Sequence, residues 1–230
     1  MNSTPRNDAL AAAAVEEIRS GMTVGLGTGR AATRGIEALA RRVSSERLEL
    51  LCVATSHASQ ELGRRLGLKV TAMQAVEVVD YLFDGADEVD PQLRMIKGRG
   101  GAMTREKIVA HSAMRRVYLV QSAKMTTRLG SKAPLPVEVM GFGLASISRA
   151  LRRLGLEGPL RQKDGGGDYE TDNGNLVIDA PLPASLELAP LVAALDAIPG
   201  VVGHGLFLNE ADVVLVEDEQ GRVSRQVRPH

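Results

Sequence analysis

Apolar runs of strand length alternate with amphipathic stretches through the first half of the chain. The runs at 22–26, 48–54, 68–72, 78–83, 93–96 and 117–121 read as buried strands. Helical periodicity fills the gaps between them. One helix is predicted from an Asp8 cap through Ser20 to a stop at Gly21, a second over 30–43, a third from Thr55-Ser56 to Leu66, and a fourth over 102–114. Such alternation predicts a parallel α/β sheet with helical crossovers. Pro134 and Pro136 then break the pattern near Ser131. Beyond the break, strands at 137–140, 160–163 and 176–178 and helices at 144–154 and 186–198 predict a compact α+β block. The run 213–216 is strongly apolar and is expected to return to the first sheet as a late strand.

Composition narrows the class. The 230 residues suffice for one large domain or two small ones. Lys plus Arg and Asp plus Glu both number 28, which gives no pull toward nucleic acid or an anionic membrane. The longest apolar runs fall far short of a bilayer span. Met1 to Asp8 is polar, with no apolar signal-peptide core. The single cysteine, Cys52, excludes an internal disulfide framework and reads as a small core residue of its strand. The absence of tryptophan disfavours a stacking platform. A cytoplasmic protein without nucleic-acid or membrane partners is expected.

The chemistry concentrates where the predicted strand at 78–83 ends. Asp84-Gly85-Ala86-Asp87-Glu88 follows it, and Lys97-Gly98-Arg99-Gly100-Gly101 comes shortly after. Ligands of open α/β sheets bind at the carboxyl ends of strands, so acids and a lysine there suggest proton transfer on a small polar molecule. Lys97 is the natural charge partner for Asp84 or Asp87. Glu106 falls in the first turn of the following helix, a rigid mount for a general base. Gly25-Leu26-Gly27-Thr28-Gly29-Arg30 sits where strand meets helix, as a phosphate cradle does. Its spacing fits neither the dinucleotide fingerprint nor the P-loop. Thr55 and Ser56 form a second strand–helix junction at the same sheet edge.

These motifs together resemble ribose-5-phosphate isomerase of the A type. The resemblance rests on Val24-Gly25-Leu26-Gly27-Thr28-Gly29, Ala54-Thr55-Ser56, Asp84-Gly85-Ala86-Asp87-Glu88, Lys97-Gly98 with Gly100-Gly101-Ala102, Arg105-Glu106-Lys107-Ile108, Lys124, Pro134-Leu135-Pro136-Val137-Glu138-Val139 and Thr171-Asp172-Asn173-Gly174-Asn175. It implies interconversion of ribose 5-phosphate and ribulose 5-phosphate without metal or organic cofactor. Glu106 would shuttle the proton between C2 and C1 through an enediolate. Asp84 would assist ring opening, Lys97 would stabilise the oxyanion, and Asp87 would orient Lys97 and the sugar. The turn Gly27, Thr28, Gly29, Arg30 and Ala31 would bind substrate together with Thr55, Ser56, Gly85, Ala86, Gly98, Arg99, Gly100 and Lys124. The implied fold is a Rossmann-like parallel-sheet domain, 1–130 plus 205–230, with a smaller α+β lid domain, 131–204, inserted before the last strands. A homodimer or homotetramer is implied as well.

The chain departs from the family pattern at the phosphate end. Gly29-Arg30-Ala31 replaces the usual Gly-Ser-Thr, Arg99 interrupts the glycines after Lys97, and Asn7-Asp8 stands where a lysine is common. Two alternatives therefore stay open: an isomerase for another phosphorylated sugar, and a non-catalytic sugar-phosphate sensor.

Overall fold

The computed structural model describes residues 8–228; Met1–Asn7, to which part of the sequence reading refers, and Pro229–His230 lie outside the described residues. In chain order the elements are α1 Ala9–Val15, β1 Thr23–Leu26, α2 Arg30–Glu46, β2 Leu51–Ala54, α3 His57–Arg65, β3 Val70–Thr71, β4 Tyr81–Gly85, β5 Glu88–Val89, β6 Met95–Ile96 and α4 Met103–His111. They continue as β7 Arg116–Gln121, β8 Leu135–Val139, α5 Leu144–Arg153, β9 Leu176–Ala180, α6 Leu188–Asp196, β10 Val201–His204, β11 Leu206–Phe207, β12 Val213–Glu217 and β13 Val223–Val227. The chain packs as two compact units. One takes the chain up to Gly85, Ile108–Ala123 and everything from Ala211 on; the other takes Ala86–Lys107 and Lys124–Glu210. Segments 86–107, 124–130 and 205–210, which the resemblance places in the large domain, pack with the second unit.

The first unit is built on a seven-stranded sheet ordered β13-β12-β7-β4-β1-β2-β3. All neighbours are parallel except the closing β12–β13 pair. β12 lies parallel to β7 from Val213↔Val117 to Glu217↔Gln121, so the late apolar run does return to the first sheet. The sheet grows from β1 toward β3 on one side and from β4 toward β12 on the other. The strand order thus reverses between β1 and β4, which creates a crevice at their carboxyl ends. Leu10, Ile18, Leu26, Ile36, Leu39, Tyr81 and Phe83 fill the core beneath the helices. Cys52 is fully buried in it, and burial pushes its thiol up to about 12.

The second unit holds two three-stranded antiparallel sheets, β10-β8-β9 and β11-β6-β5. Its core joins Leu135, Val137 and Val139 of β8 to Ile147 and Leu151 of α5 and Leu191 and Leu195 of α6. Pro136 sits inside β8, where the sequence suggested a break. It lies past the end of β10, which pairs only with Val137–Val139, so the missing N–H forfeits no ladder bond there.

Several boundaries differ from expectation, each for a local reason. Asp8 caps α1 by accepting from Ala11 N–H (2.9 Å), but the helix ends at Val15 rather than Ser20. Ile18 N–H donates back to Val15 O (3.2 Å), tightening the last turn. β2 starts at Leu51 because Glu49 bonds Ser20 Oγ and Gly21 N–H instead of joining the ladder. Residues 160–163 form only two isolated bridges, Leu160↔Ile178 and Gln162↔Asp168.

Candidate active site

In the first unit the glycine turn follows β1 directly. Gly29, with φ +92°, is the residue before α2, a backbone setting that favours glycine. Gly27 N–H donates to Phe83 O (3.0 Å) and Thr28 N–H to Asp84 Oδ1 (2.9 Å), which ties the end of β1 to the end of β4. A methyl group on Gly27 would collide with Asp84. Asp84 is fully buried, and Gly85 N–H also donates to its Oδ1 (2.7 Å). Thr28 Oγ1 lies 2.7 Å from Thr55 Oγ1 and 3.3 Å from Ser59 Oγ. Thr55 donates to Leu26 O (3.2 Å), and Ser56 caps α3 by accepting from Ser59 N–H (3.1 Å). Both junctions foreseen at this sheet edge therefore meet, with Thr55 and Ser59 bracing Thr28. Arg30 opens α2 and is exposed; Ala31 follows it, half-buried.

In the second unit the decisive contact joins Lys97 and Glu106. Lys97 Nζ lies 3.3 Å from Glu106 Oε2, and the two side chains are only 3% and 5% exposed. Lys97 follows β6, and its Nζ stands 5.6 Å from the centroid of the Phe207 ring. Glu106 occupies the first turn of α4, as the sequence predicted. Charges this deeply buried persist only when paired. The cation beside Asp87 is Lys124, 3.5 Å from Oδ1, while Arg99 N–H donates to Asp87 Oδ2 (2.9 Å). Within this unit Lys97 pairs with Glu106, and Asp87 has Lys124 beside it. Gly98, at φ +104°, turns the chain from β6 toward α4, and Arg99 and Gly100 are exposed. Ala86 is half-buried at the start of this unit.

The family model for ribose 5-phosphate isomerase A (phosphoriboisomerase A) matches residues 51–221. The chain belongs to the ribose-5-phosphate isomerase A family. It is 45% identical over 211 residues to ribose-5-phosphate isomerase A of Roseiflexus sp. (strain RS-1), covering 91% of both chains. The enzyme of Thermomicrobium roseum is 42% identical, with 89% of this chain and 86% of that one covered. Among solved structures, ribose 5-phosphate isomerase A of Methanocaldococcus jannaschii superposes with TM-score 0.90 at 36% identity, over 95% of this chain and 96% of that one. A D-ribose-5-phosphate isomerase in complex with phospho-erythronic acid gives TM-score 0.91 at 33% identity, over 99% and 100%. No helix among the described residues is long and apolar enough to cross a membrane.

Two clusters around the isomerase motifs escaped the sequence reading. Glu138 is fully buried in β8 and gathers donors from Thr104, Thr171, Asn173 and Asn175. Its signal was a lone acid in the apolar strand Leu135–Val139. Lys107 donates to Leu206 O (2.9 Å) and lies 3.2 Å from His204 Nδ1. Burial pulls the Lys107 ammonium down to about 8. Burial, and then the charge of Lys107, pull His204 down to about 4. No spacing in the sequence marks this pair.

Proposed function

We propose that this chain interconverts D-ribose 5-phosphate and D-ribulose 5-phosphate, with Glu106 as the base. The observation that carries the reading is the buried Lys97–Glu106 pair at the start of α4. Glu106 removes the C2 proton of the open-chain aldose, and the electrons form a C1–C2 double bond with negative charge on O1. A proton then passes from O2 to O1, and protonated Glu106 returns its proton to C1, giving the ketose. A carbon acid this weak needs a positioned base and fixed positive charge near the oxygens. Lys97 supplies that charge in a site where water does not dilute it.

Asp84 is assigned ring opening and the O2-to-O1 proton, and Asp87 with Lys124 the sugar hydroxyls. The Thr28 turn, at the strand-order reversal of its sheet, is assigned the phosphate with Arg30. A solved relative holding phospho-erythronic acid supports a phosphorylated sugar as ligand. A sensor that only binds sugar would have no use for a carboxylate and an ammonium buried 3.3 Å apart. Arg30-Ala31 in place of two hydroxyls keeps a second phosphorylated sugar as the other reading. The enzyme is read as cytoplasmic and as a homodimer or homotetramer; analytical ultracentrifugation of the purified protein checks the oligomeric state.

Two measurements test the function. In a kcat/KM panel of aldose and ketose phosphates, D-ribose 5-phosphate and D-ribulose 5-phosphate should lead, and preference for another sugar would move the assignment. Glu106→Gln should stay folded and bind sugar phosphate, yet lose about 10²–10⁴-fold in kcat, the usual worth of a general base. Near-normal turnover would remove Glu106 from the role.

A further inference from the structure

We propose that Glu138 is the positioning residue of the active site, fixing the helix start that carries Glu106 through the hydroxyl of Thr104. The inference rests on Glu106 acting as the base. Glu138 Oε2 accepts from Thr104 Oγ1. Its Oε1 accepts from Thr171 Oγ1 (2.7 Å), Asn173 Nδ2 (3.0 Å) and Asn175 Nδ2 (3.0 Å). Four side-chain donors thus converge on one fully buried carboxylate in the central strand of its sheet. Hydrogen bonds to a carboxylate are roughly twice as strong as neutral ones, so the cluster is stiff.

The same loop that feeds Glu138 also grips the residue next to the base. Arg105 Nε donates to Asn173 Oδ1 (2.7 Å), and its Nη2 donates to Asp172 O (2.7 Å). Thr104 and Arg105, the two residues before Glu106, are therefore tied to one assembly of Glu138 and residues 171–175. Glu106 inherits its place from that anchorage, because a helix turn moves as a unit. A helix start held only by backbone bonds frays, whereas a base must stay within a fraction of an ångström of its carbon. A displacement of about 1 Å costs about 10²-fold in rate. The arrangement assigns chemistry to Glu106 and geometry to Glu138.

Removing Glu138 outright endangers the fold, so the test acts on Thr104, which is not fully buried. Thr104→Ala deletes the hydroxyl link together with one methyl group and keeps the helix. It should lower kcat by about ten- to a hundredfold with KM changed less than about threefold, measured per folded molecule by circular dichroism. Thr104→Ser, which restores the hydroxyl, should recover most of the loss. Glu106→Gln is run in parallel. Normal kcat in Thr104→Ala beside an inactive Glu106→Gln would overturn the positioning role and leave the base intact. So would a loss that Thr104→Ser fails to rescue, or one that falls on KM instead of kcat. An active Glu106→Gln would overturn the base assignment and this inference with it.

Discussion

Removing either member of the Lys97–Glu106 pair should cost both stability and turnover, while removing both should cost less stability than the two single losses added together. At 3.3 Å the attraction is worth about 5 kcal/mol at an effective dielectric near 20. Desolvation has already consumed a comparable amount, since the side chains are only 3% and 5% exposed. Lys97→Met leaves the Glu106 carboxylate without its cation in that setting and should cost about 3–5 kcal/mol of stability. Glu106→Gln takes the carboxylate from beside the ammonium and should also cost stability. The double variant removes both charges, and part of the loss should return. Catalysis cannot be recovered in this way. Lys97→Met should lose about 10²–10³-fold in kcat, the worth of a fixed group at a developing oxyanion, and the double variant should be inactive. Urea unfolding followed by circular dichroism gives the stabilities, and steady-state isomerisation gives the rates. A double variant whose destabilisation equals the sum of the singles would refute the pair as an electrostatic unit. A Lys97→Met enzyme with normal kcat would refute its role at the oxyanion.

Arg30→Ala should raise KM for the phosphorylated sugar far more than it lowers kcat, because it removes binding remote from the reacting carbons. With a charge-assisted bond worth about 1.5–3 kcal/mol, kcat/KM should fall roughly ten- to a hundredfold, and Arg30→Ser with Ala31→Thr should recover much of it; an unchanged KM would return the phosphate to the backbone turn alone. His204 predicts a pH effect on stability. Its folded value, near 4, lies below the ordinary 6.5, so the unfolded chain binds the extra proton between those limits and stability falls as pH drops through that window. His204→Gln should flatten that part of the unfolding midpoint against pH, and an unchanged slope would show that His204 is not its source. Activity should survive exhaustive chelation, because ammonium groups already stand beside Glu106 and Asp87 and compete for their charge; loss restored by a divalent metal would overturn that.

The parallel sheet, the glycine turn, the Asp8 cap and the place of Glu106 in the first turn of α4 were all determined by the sequence. Each depends on neighbours within a turn of helix or one strand, the reach of periodicity and capping rules. The two-residue strands β5 and β11 and the polar edge strand β13 could not be read this way. They exist because a partner strand presents its free groups, not because of their own propensity. The side-chain partners likewise belong to the tertiary structure. The sequence did not single out Glu106 as a partner of Lys97 or Lys124 as a partner of Asp87, and folding put each beside the other. Glu138 finds its donors 33 to 37 residues away in the chain, from two different segments. The charges themselves are visible in sequence. Which of them lose their water together is decided only when the chain is packed, and that loss is what forces them to pair.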